Sequence, residues 1–422
     1  MSNSGPKSSV PAALEGGGEA GLGPAGASAG HVREAPLDGR RIWFVGIGGA
    51  GLSAYAKLAR ARGAEIGGWD RVETPYLAGL DAVEIAPEPV VPDGWEVVVS
   101  SAYPQVRGRP RAEFLAELVS LQPSIVVSGA HGKTTTTAMI AFVLAETGRD
   151  PAYLIGGDVP QLGGNAGAGW GWLVVEGDES DRTVESLDPE IGIVLNVELD
   201  HHATFASEAE VADLFERWLA RVPNVVRGWE LEPVDFALAV PGEHNRLNAA
   251  AALAALELAG VSLAEAAPVL ARFEGVGRRF TSVGEAGGVR VVDDYAHHPS
   301  ELAATIAAAR EQAERVHVLF QPHLPSRTRH LARELGLALA GADPAVVTEI
   351  YAAREEIPPG LSGRLVVEAL AEARPGMRVG WAPTVEQGAQ LAAAFAEPGD
   401  LVVTVGAGDV DRAGPLILEA LR

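Results

Sequence analysis

Short apolar runs rich in β-branched residues alternate along most of the chain with longer stretches rich in alanine and leucine. The short runs predict buried strands at Arg41–Val45, Glu96–Ser100, Ile125–Ser128, Trp172–Glu176, Ile191–Val197, Val289–Asp293, Val316–Phe320, Ala345–Thr348 and Leu401–Val405. The longer stretches predict helices that include Leu52–Arg62, Thr135–Thr147, Glu208–Leu219, Arg246–Leu258 and Ser300–Gln312. Because alternating strands and helices are typical of parallel sheets covered on both faces, we predict an α/β protein.

Glycines mark the ends of predicted strands near positions 46, 129 and 406. Since ligands of doubly wound sheets bind beyond the carboxyl ends of the strands, each of these glycines marks a candidate ligand site. We therefore predict three successive α/β domains, over residues 39–122, 123–277 and 278–422. Residues 1–38 are mostly glycine, alanine, serine and proline without an aromatic residue, so they are predicted to form a disordered tail.

The chain is acidic, with 33 basic and 56 acidic residues among 422 and a formal net charge of −23. Such a field repels polyanions, so we expect no nucleic-acid partner, and any phosphate must be held locally by backbone amides and a few cations. No apolar run approaches the roughly 20 residues that span a bilayer, and the N-terminus lacks a signal pattern. We therefore expect a cytoplasmic protein without membrane insertion. The absence of cysteine excludes disulfides and thiolate metal sites.

The first candidate site is a glycine run that directly follows a predicted strand. Gly46, Gly48, Gly49 and Gly51 form the pattern G-x-G-x-x-G, in which glycines let a pyrophosphate approach the N-terminus of the next helix. Asp70, at the end of the next predicted strand, is a candidate acceptor for ribose hydroxyls. The pattern does not distinguish NAD from another diphosphate nucleotide, and a glycine turn without a ligand also fits it.

The second candidate site is Ser128–Thr137, which reads Ser-Gly-Ala-His-Gly-Lys-Thr-Thr-Thr-Thr between a predicted strand and a predicted helix. Val127 occupies the position of the leading glycine of the Walker motif, so the full spacing is missing. The physical parts are nevertheless present: glycines expose backbone N–H groups, Lys133 neutralises phosphate charge, and Thr134 offers a hydroxyl to Mg²⁺. We expect Lys133 to be a surface cation above this loop.

Acidic residues and histidines follow the next two predicted strands, in Glu176–Asp181 and Asn196–His202. If these strands neighbour the strand that precedes the lysine loop, Glu176 and His201 reach a metal ion near Thr134. Oxygen and imidazole ligands are chemically reasonable around Mg²⁺ or Mn²⁺, although imidazole is a less usual ligand of Mg²⁺. The alternative is a solvated acidic loop with aspartates that cap helices.

Together these motifs resemble the Mur ligases of peptidoglycan synthesis over nearly all of the chain from Arg40 onward. The matching motifs are Gly46–Gly51, Ser100–Ala102, Gly129–Thr137, Glu176–Asp181, Asn196–His201, Pro241–Asn248, Gly275–Phe280, Asp293–Pro299, Gln321–His323 with Ser326–Thr328, and Gly406–Asp409. The His-His-Pro and Gln-Pro-His forms favour the branch of the family that adds alanine. The resemblance implies an N-terminal Rossmann-like domain, a shortened central sheet of the P-loop ATPase type, and a C-terminal Rossmann-like domain.

The resemblance also implies an activity: an ATP-dependent ligase that joins L-alanine to the carboxylate of UDP-N-acetylmuramate through an acyl phosphate, as a monomer or weak homodimer. The residues that it assigns to ATP are Gly129, Ala130, His131, Gly132, Lys133, Thr134, Thr135, His244, Asn245, Asn248, Arg279 and Asp294. Among these, His244, Asn245 and Asn248 would contact the adenine, and Asp294 would hold the ribose. Those that it assigns to the UDP-sugar, in place of NAD, are Gly46, Gly48, Gly49, Gly51, Asp70, Ser100 and Ser101. Mg²⁺ or Mn²⁺ is assigned to Thr134, Glu176 and His201, and the catalytic positions are Lys133, His297, His298 and Arg327, the last for the alanine carboxylate.

The chain departs from the family pattern at several positions. Pro223–Val240 is interpreted as the compressed remnant of a longer segment at the edge of the central domain. Leu324 stands where the family has an arginine, Ala130 replaces the usual threonine, and Arg182 follows the acidic run. A relative that binds nucleotide and UDP-sugar without ligation, or one that adds another amino acid or peptide, is therefore an alternative. An NAD-dependent oxidoreductase leaves the Lys133 loop unexplained.

Overall fold

The computed structural model of the chain describes residues 35–200, 204–353 and 355–422. These residues form three sheets that follow one another along the chain, with helices packed on their faces. The predicted α/β class and the three-domain architecture are confirmed. No helix in the described ranges is long and apolar enough to cross a membrane.

The first sheet has five parallel strands in the order β3-β2-β1-β4-β5. Its elements are β1 (Arg41–Val45), α1 (Ala50–Ala61), β2 (Glu65–Asp70), β3 (Val83–Ile85), β4 (Glu96–Val99), β5 (Arg109–Pro110) and α2 (Arg111–Ser120). Successive residues of β1 are buried on opposite faces. Phe44 packs edge to face on Phe114 of α2, whereas Trp43 and Trp69 lie in a small cluster on the other face. Because both faces of the first sheet are covered by apolar side chains at β1, its residues do not alternate between apolar and polar.

The second sheet has the order β11-β10-β6-β9-β7-β8, in which the β7–β8 pair alone is antiparallel among the described strands. Its elements are β6 (Ser124–Ser128), α3 (Lys133–Glu146), β7 (Ala152–Leu154), β8 (Ala166–Ala168), β9 (Leu173–Glu176), β10 (Ile191–Val194), α4 (Glu208–Leu219), β11 (Asn224–Arg227), α5 (Glu243–Leu258) and α6 (Leu263–Leu270). β6 is buried along its whole length at the centre of the sheet. β9 and β10 lie on either side of β6 and run parallel to it, so the carboxyl ends of these three strands lie at the same edge of the sheet.

The connection from β11 to α5 occupies residues 228–242 and is well packed, although it is short. Leu231, Val234, Phe236 and Leu238 are partly buried against the core that α3, α5 and α6 form on the middle sheet. The backbone is also tied down, since the N–H of Val234 donates to the carbonyl of Arg246 at 3.3 Å. The connection therefore closes this edge of the middle domain with apolar contacts of its own, and its interpretation as a compressed remnant stays a prediction.

The third sheet has the order β12-β13-β17-β14-β15-β16, with an antiparallel β12–β13 hairpin at one edge. Its elements are β12 (Thr281–Ala286), β13 (Val289–Asp294), α7 (Pro299–Arg310), β14 (Val316–Phe320), α8 (Pro325–Leu339), β15 (Ala345–Thr348), α9 (Arg364–Ala373), β16 (Val379–Ala382), α10 (Val385–Phe395), β17 (Leu401–Val405) and α11 (Ala413–Ala420). α7 begins with a capping box, in which the His298 ring accepts from a backbone N–H and Glu301 accepts from the backbone of His298. Glu301 is thereby fixed at the start of α7, where the carboxyl edge of the sheet opens.

Residues 1–34 of the predicted disordered tail lie outside the described residues. Leu37, near the end of that predicted segment, is buried in the core shared by α1 and α2, and its N–H donates to the carbonyl of Arg62 at 2.9 Å. The limits predicted for the domains stay predictions; the three sheets fall within residues 41–110, 124–227 and 281–405.

Arg62 joins the first domain to the middle domain. Its side chain donates to the carbonyl oxygens of Ala168 at 3.0 Å and Gly169 at 2.6 Å, both in or beside β8. The guanidinium also lies 3.8 Å from the ring centroid of Trp170. Because Arg62 is 1% exposed, these contacts form away from water and hold α1 on the edge of the middle sheet.

We predict that Arg62→Ala lowers the free energy of unfolding by roughly 2 kcal/mol or more, since a hydrogen bond to a charged group contributes about 1.5–3 kcal/mol. Arg41→Ala is the matched control, because Arg41 pairs with Glu65 on an exposed surface and such pairs contribute about 0–1 kcal/mol. Urea unfolding followed by circular dichroism measures both. Equal stability of the two variants would contradict the structural role of Arg62.

Candidate active site

The glycine-lysine loop connects β6 to α3 and encloses a concave backbone surface. Gly132 has φ +83°, and a Cβ atom there would lie 2.4 Å from Oδ1 of Asn248 on α5. A side chain at this position would therefore strain the backbone and require the Asn248 side chain to move. Asn196, which follows β10, clamps the other side: its Oδ1 accepts from the N–H of His131 at 2.9 Å, and its Nδ2 donates to the His131 carbonyl at 3.1 Å. Asn196 was not among the predicted site residues.

Lys133 is held inside the loop, so the expectation of a surface cation is wrong. Its ammonium donates to the carbonyl of Gly129 at 2.6 Å and to the carboxylate of Glu179 at 2.9 Å, and its side chain is 19% exposed. Burial opposes the charge, but the Glu179 and Asp178 carboxylates outweigh it and raise the pKa of Lys133. The cation is therefore present and oriented at neutral pH.

The predicted metal ligands Thr134 and Glu176 are brought together. Thr134 Oγ1 donates to Glu176 Oε2 at 3.0 Å, while Glu176 Oε1 accepts from the N–H of Gly156 at 2.6 Å. Burial raises the pKa of Glu176, as expected for a carboxylate enclosed between strand ends. The third predicted ligand, His201, lies outside the described residues.

A cavity of about 570 Å³ opens beside this loop, and residues of all three domains line it. Gly51 and Tyr55 of α1 and Arg111 of α2 come from the first domain, whereas Lys133 and Glu176 form the wall of the middle domain. The third domain contributes Arg279, Tyr295, His297 and Glu301. A cavity between three domains gives a substrate bound to one of them access to groups on the others.

Arg111, which the motifs did not predict, carries positive charge into this cavity. Its guanidinium donates to Asp178 at 2.8 Å and to Asp181 at 2.6 Å, so that α2 is paired with the acidic loop after β9. Burial and the Arg111 charge act in opposite directions on Asp178, and the attraction lowers the pKa of this carboxyl to about 2. The arginine lies outside every motif, so only the fold reveals its place.

A second cavity, of about 500 Å³, extends from the loop along α5, and the predicted adenine-binding residues His244, Asn245 and Asn248 line it. The asparagines hold their own helix, because Asn245 donates to the carbonyl of Pro241 at 2.7 Å and Asn248 donates to Asn245 at 3.3 Å. His131, Gly132, Arg279 and Glu301 line both cavities, so the two meet at these residues.

Asp294, predicted for the ribose, lines the second cavity and accepts three hydrogen bonds. It accepts from the N–H of Phe280 at 2.8 Å, from the N–H of Ala296 at 2.9 Å, and from the Thr305 hydroxyl at 3.0 Å. Burial raises its pKa. These bonds organise the turn after β13, and ribose binding by Asp294 stays a prediction.

His131 lies between carboxylates of two domains. Its Nε2 is 3.2 Å from Glu198 of the middle domain, and its Nδ1 is 3.4 Å from Glu301 of the third. Burial lowers the pKa of His131, but hydrogen bonds to both carboxylates outweigh burial and raise it to about 9. His298 packs on this ring with centroids 4.7 Å apart, and Glu198 also accepts from the Ser300 hydroxyl at 2.6 Å. The side chains of His131, Glu198, Glu301, His298 and Ser300 thus form a hub of hydrogen bonds and ring contacts between the middle and third domains.

Arg327 is buried and forms a bidentate pair with Asp200, through Nε at 2.7 Å and Nη2 at 3.0 Å. Its Nη1 lies 3.2 Å from Nδ1 of His323. Burial, followed by the nearby His297 and Arg327, lowers the pKa of His323 to about 3, so its neutral ring accepts from the guanidinium. Leu324, which precedes α8, has a positive φ of +69°.

The predicted UDP-sugar residues surround the turn after β1. Gly46 has φ +87°, and a Cβ atom there would lie 2.8 Å from that of Ser100. Asp70 accepts from the N–H of Gly48 at 2.7 Å and so supports the turn itself. Ser101 is exposed beside it. Gly51 alone of the predicted set belongs to the first cavity.

Three α/β domains around a lysine-bearing phosphate loop define a nucleotide-dependent enzyme. The Mur ligase middle domain matches residues 127–227, and the Mur ligase glutamate ligase domain matches residues 278–408. A UDP-N-acetylmuramate–L-alanine ligase of Streptomyces coelicolor is 42% identical, with 90% of this chain and 97% of the relative covered. One of Rubrobacter xylanophilus is 38% identical, with 90% and 100% covered.

The crystal structure of a UDP-N-acetylmuramate–alanine ligase from Thermotoga maritima has a TM-score of 0.72 at 26% identity, covering 90% of this chain and 98% of that one. The chain belongs to the Mur ligase family. The alignment with the Streptomyces coelicolor relative spans 453 positions, more than the 422 residues of this chain, so this chain lacks residues that the relative has.

We predict that Lys133→Met abolishes most turnover and also lowers stability, by on the order of 2 kcal/mol, because the buried Glu179 loses a charged partner. Lys133→Met/Glu179→Gln is the control: it restores stability because the buried charge is removed, but it does not restore turnover. Thermal unfolding and phosphate release separate the two effects. Normal turnover in the single variant would contradict a phosphate-binding role.

We predict that the pairing of His131 stabilises the chain most in mildly acidic solution. Since the folded pKa, about 9, exceeds the ordinary value near 6.5, this stabilisation is complete below pH ~6.5 and is lost as the pH rises through 9. Urea unfolding of the wild type and His131→Gln at several pH values measures it. The difference between them should shrink by on the order of 3 kcal/mol across this range; a difference independent of pH would contradict the pairing.

Proposed function

We propose that this chain joins L-alanine to the carboxylate of UDP-N-acetylmuramate, converting ATP to ADP and phosphate. The observation that carries the proposal is the placement of Lys133 and Thr134 in a cavity that all three domains line. Relatives at 38–42% identity are named as UDP-N-acetylmuramate–L-alanine ligases, which gives the two substrates. The alternative activity with another amino acid lacks such support.

The reaction needs activation, because a carboxylate is a poor acyl donor. A carboxylate oxygen of the sugar acid attacks the γ-phosphorus of ATP, the bond to the β,γ-bridging oxygen breaks, and ADP leaves. The alanine amine then attacks the carbonyl carbon of the acyl phosphate and loses a proton, and phosphate leaves as the amide forms. Negative charge on phosphoryl oxygens faces Lys133 and the N-terminus of α3 throughout, and both favour it.

The residues present fit a divalent cation beside the phosphates. Thr134 Oγ1 and Glu176 Oε2 lie 3.0 Å apart. Glycine at position 156 leaves room beside the carboxylate, because a Cβ atom on Gly156 would lie only 3.1 Å from Glu176 Oε1. Thr134, Glu176 and His201 would hold Mg²⁺ or Mn²⁺, which offsets phosphate charge when bound. The hydroxyl and the carboxylate are the hard oxygen donors that these ions prefer.

His297 suits the incoming amine. Burial lowers its pKa to about 4, so the ring is neutral at physiological pH. Its Nδ1 lies 3.0 Å from the carbonyl of Tyr295, which assigns the hydrogen to Nδ1 and leaves a lone pair on Nε2. We propose that Nε2 accepts a hydrogen bond from the amine, and that His298 acts indirectly by supporting His131.

Arg327 is proposed for the alanine carboxylate, through the bidentate geometry that it now gives to Asp200. Substrate binding then requires exchange of one carboxylate for another. The UDP group is proposed to bind at the Gly46–Gly51 turn, so that its sugar acid extends past Gly51 into the first cavity. A monomer or weak homodimer remains our prediction for the assembly.

We predict that phosphate release from ATP requires UDP-N-acetylmuramate and L-alanine together. The reason is that the phosphoryl group has no acceptor without the sugar acid, and the acyl phosphate has none without the amine. A coupled phosphate assay with each substrate omitted in turn measures this, with glycine, L-serine and a UDP-muramyl peptide as comparisons. Turnover with such a peptide but not with this pair would contradict the proposal, as would binding without turnover.

A further inference from the structure

The short connection after β11 presents a tryptophan to the second cavity. Trp229 is 49% exposed, and it lines this cavity together with Leu231 of the same connection. A half-exposed tryptophan in a cavity wall is a large apolar surface that the described residues cover only in part. Its position calls for a ligand with a flat apolar face.

The backbone fixes Trp229 at this place. The turn Gly228–Glu230 follows β11 directly, and the N–H of Leu231 closes it by donating to the carbonyl of Gly228 at 3.2 Å. A Cβ atom on Gly228 would lie 2.2 Å from the carbonyl oxygen of Leu195, so glycine lets the turn sit directly on the end of β10. The side chain that follows is therefore set beside the carboxyl edge of the middle sheet, where ligands of such sheets bind.

The remaining walls of the cavity suit a heteroaromatic ring. Leu247 of α5, 37% exposed, and Phe280 add apolar surface. His244 adds a polar atom: its Nδ1 is buried and lacks a hydrogen-bond partner among the described residues. Burial and the nearby Arg279 also keep this ring neutral by lowering its pKa. A ring with nitrogen donors and acceptors along its edge and an apolar face matches both features.

The cavity continues into the phosphate loop. His131, Gly132 and Arg279 line both cavities, so one molecule can extend from Trp229 to Lys133. Its chemistry is then defined at both ends: a polyanion at the loop and a flat heterocycle at the tryptophan. A nucleoside triphosphate has both parts.

We propose that Trp229 stacks on the base of ATP and is a binding residue that the short connection itself supplies. The inference rests on the proposed use of ATP. Stacking on an aromatic ring is tolerant of base identity, so Trp229 contributes affinity for purine nucleotides in general. The triphosphate is held separately by the loop.

The test compares Trp229→Ala and Trp229→Phe with the wild-type full chain by calorimetric titration with ATP, GTP and inorganic tripolyphosphate, each with Mg²⁺. Removal of the ring should weaken the binding of ATP and GTP by about 5- to 150-fold, the range expected for stacking of one base. Phe should retain most of the affinity, and tripolyphosphate should bind all three proteins equally. Leu258→Ala, a surface residue of α5 that is 46% exposed, is the matched control and should change nothing.

A second readout does not depend on affinity. The chain has 8 tryptophans, and quenching of their fluorescence by ATP should largely disappear in Trp229→Phe while ATP still binds. Equal affinity of wild type and Trp229→Ala for ATP overturns the inference and leaves the proposed function intact. Equal weakening of ATP and tripolyphosphate also overturns it, because the ring would then only shape the loop. Failure of the wild type to bind ATP refutes the proposed function itself.

Discussion

The ammonium group of Lys133 is the interaction on which the site depends, because a chain with a net charge of −23 must concentrate positive charge to hold a triphosphate. The loop carbonyl of Gly129 and the carboxylate of Glu179 hold this group in place. Its charge is thus compensated inside the protein before any nucleotide arrives. In the proposed function, phosphate competes with Glu179 for the Lys133 ammonium, so that binding is an exchange of anions with a limited cost in desolvation.

Charge compensation also holds the boundary between the middle and third domains. His131 bears a proton because Glu198 and Glu301 approach it from different domains. Glu301 is in turn fixed by the start of α7 and lies 3.6 Å from Arg279. Alternating charges therefore hold the third domain over the loop, and these contacts lie where the two cavities meet. A nucleotide that bridges the cavities would touch this hub directly, which couples its binding to the position of the third domain.

The sequence predicted the sheets well where strands are central and buried. The limits of β1, β14, β15 and β17 agree with the predicted runs, since each is a short stretch of mostly apolar residues whose side chains are buried on both faces of a sheet. Edge strands such as β8, with the sequence Ala-Gly-Ala, were not predicted because a short edge strand needs few apolar residues.

In the candidate site, the sequence motifs predicted that Thr134 and Glu176 lie close together beside Lys133. The prediction was possible because neighbouring parallel strands end at the same edge of a sheet. Two features escaped prediction. The enclosed position of the Lys133 ammonium involves Glu179, a buried long-range partner that no spacing encodes. Arg111 enters the cavity from another domain, and only the packing of α2 beside the acidic loop reveals it.

The connection from β11 to α5 has two roles at one edge of the middle domain. Four apolar side chains of the connection pack on the middle core, so the edge of the domain is closed although the segment is brief. Gly228 then brings the backbone onto Leu195, at the same edge where the phosphate loop begins. A segment that served only to cover the sheet would have no reason to present a half-exposed tryptophan at this edge. The same stretch of chain therefore covers the core of the middle domain and lines the second cavity.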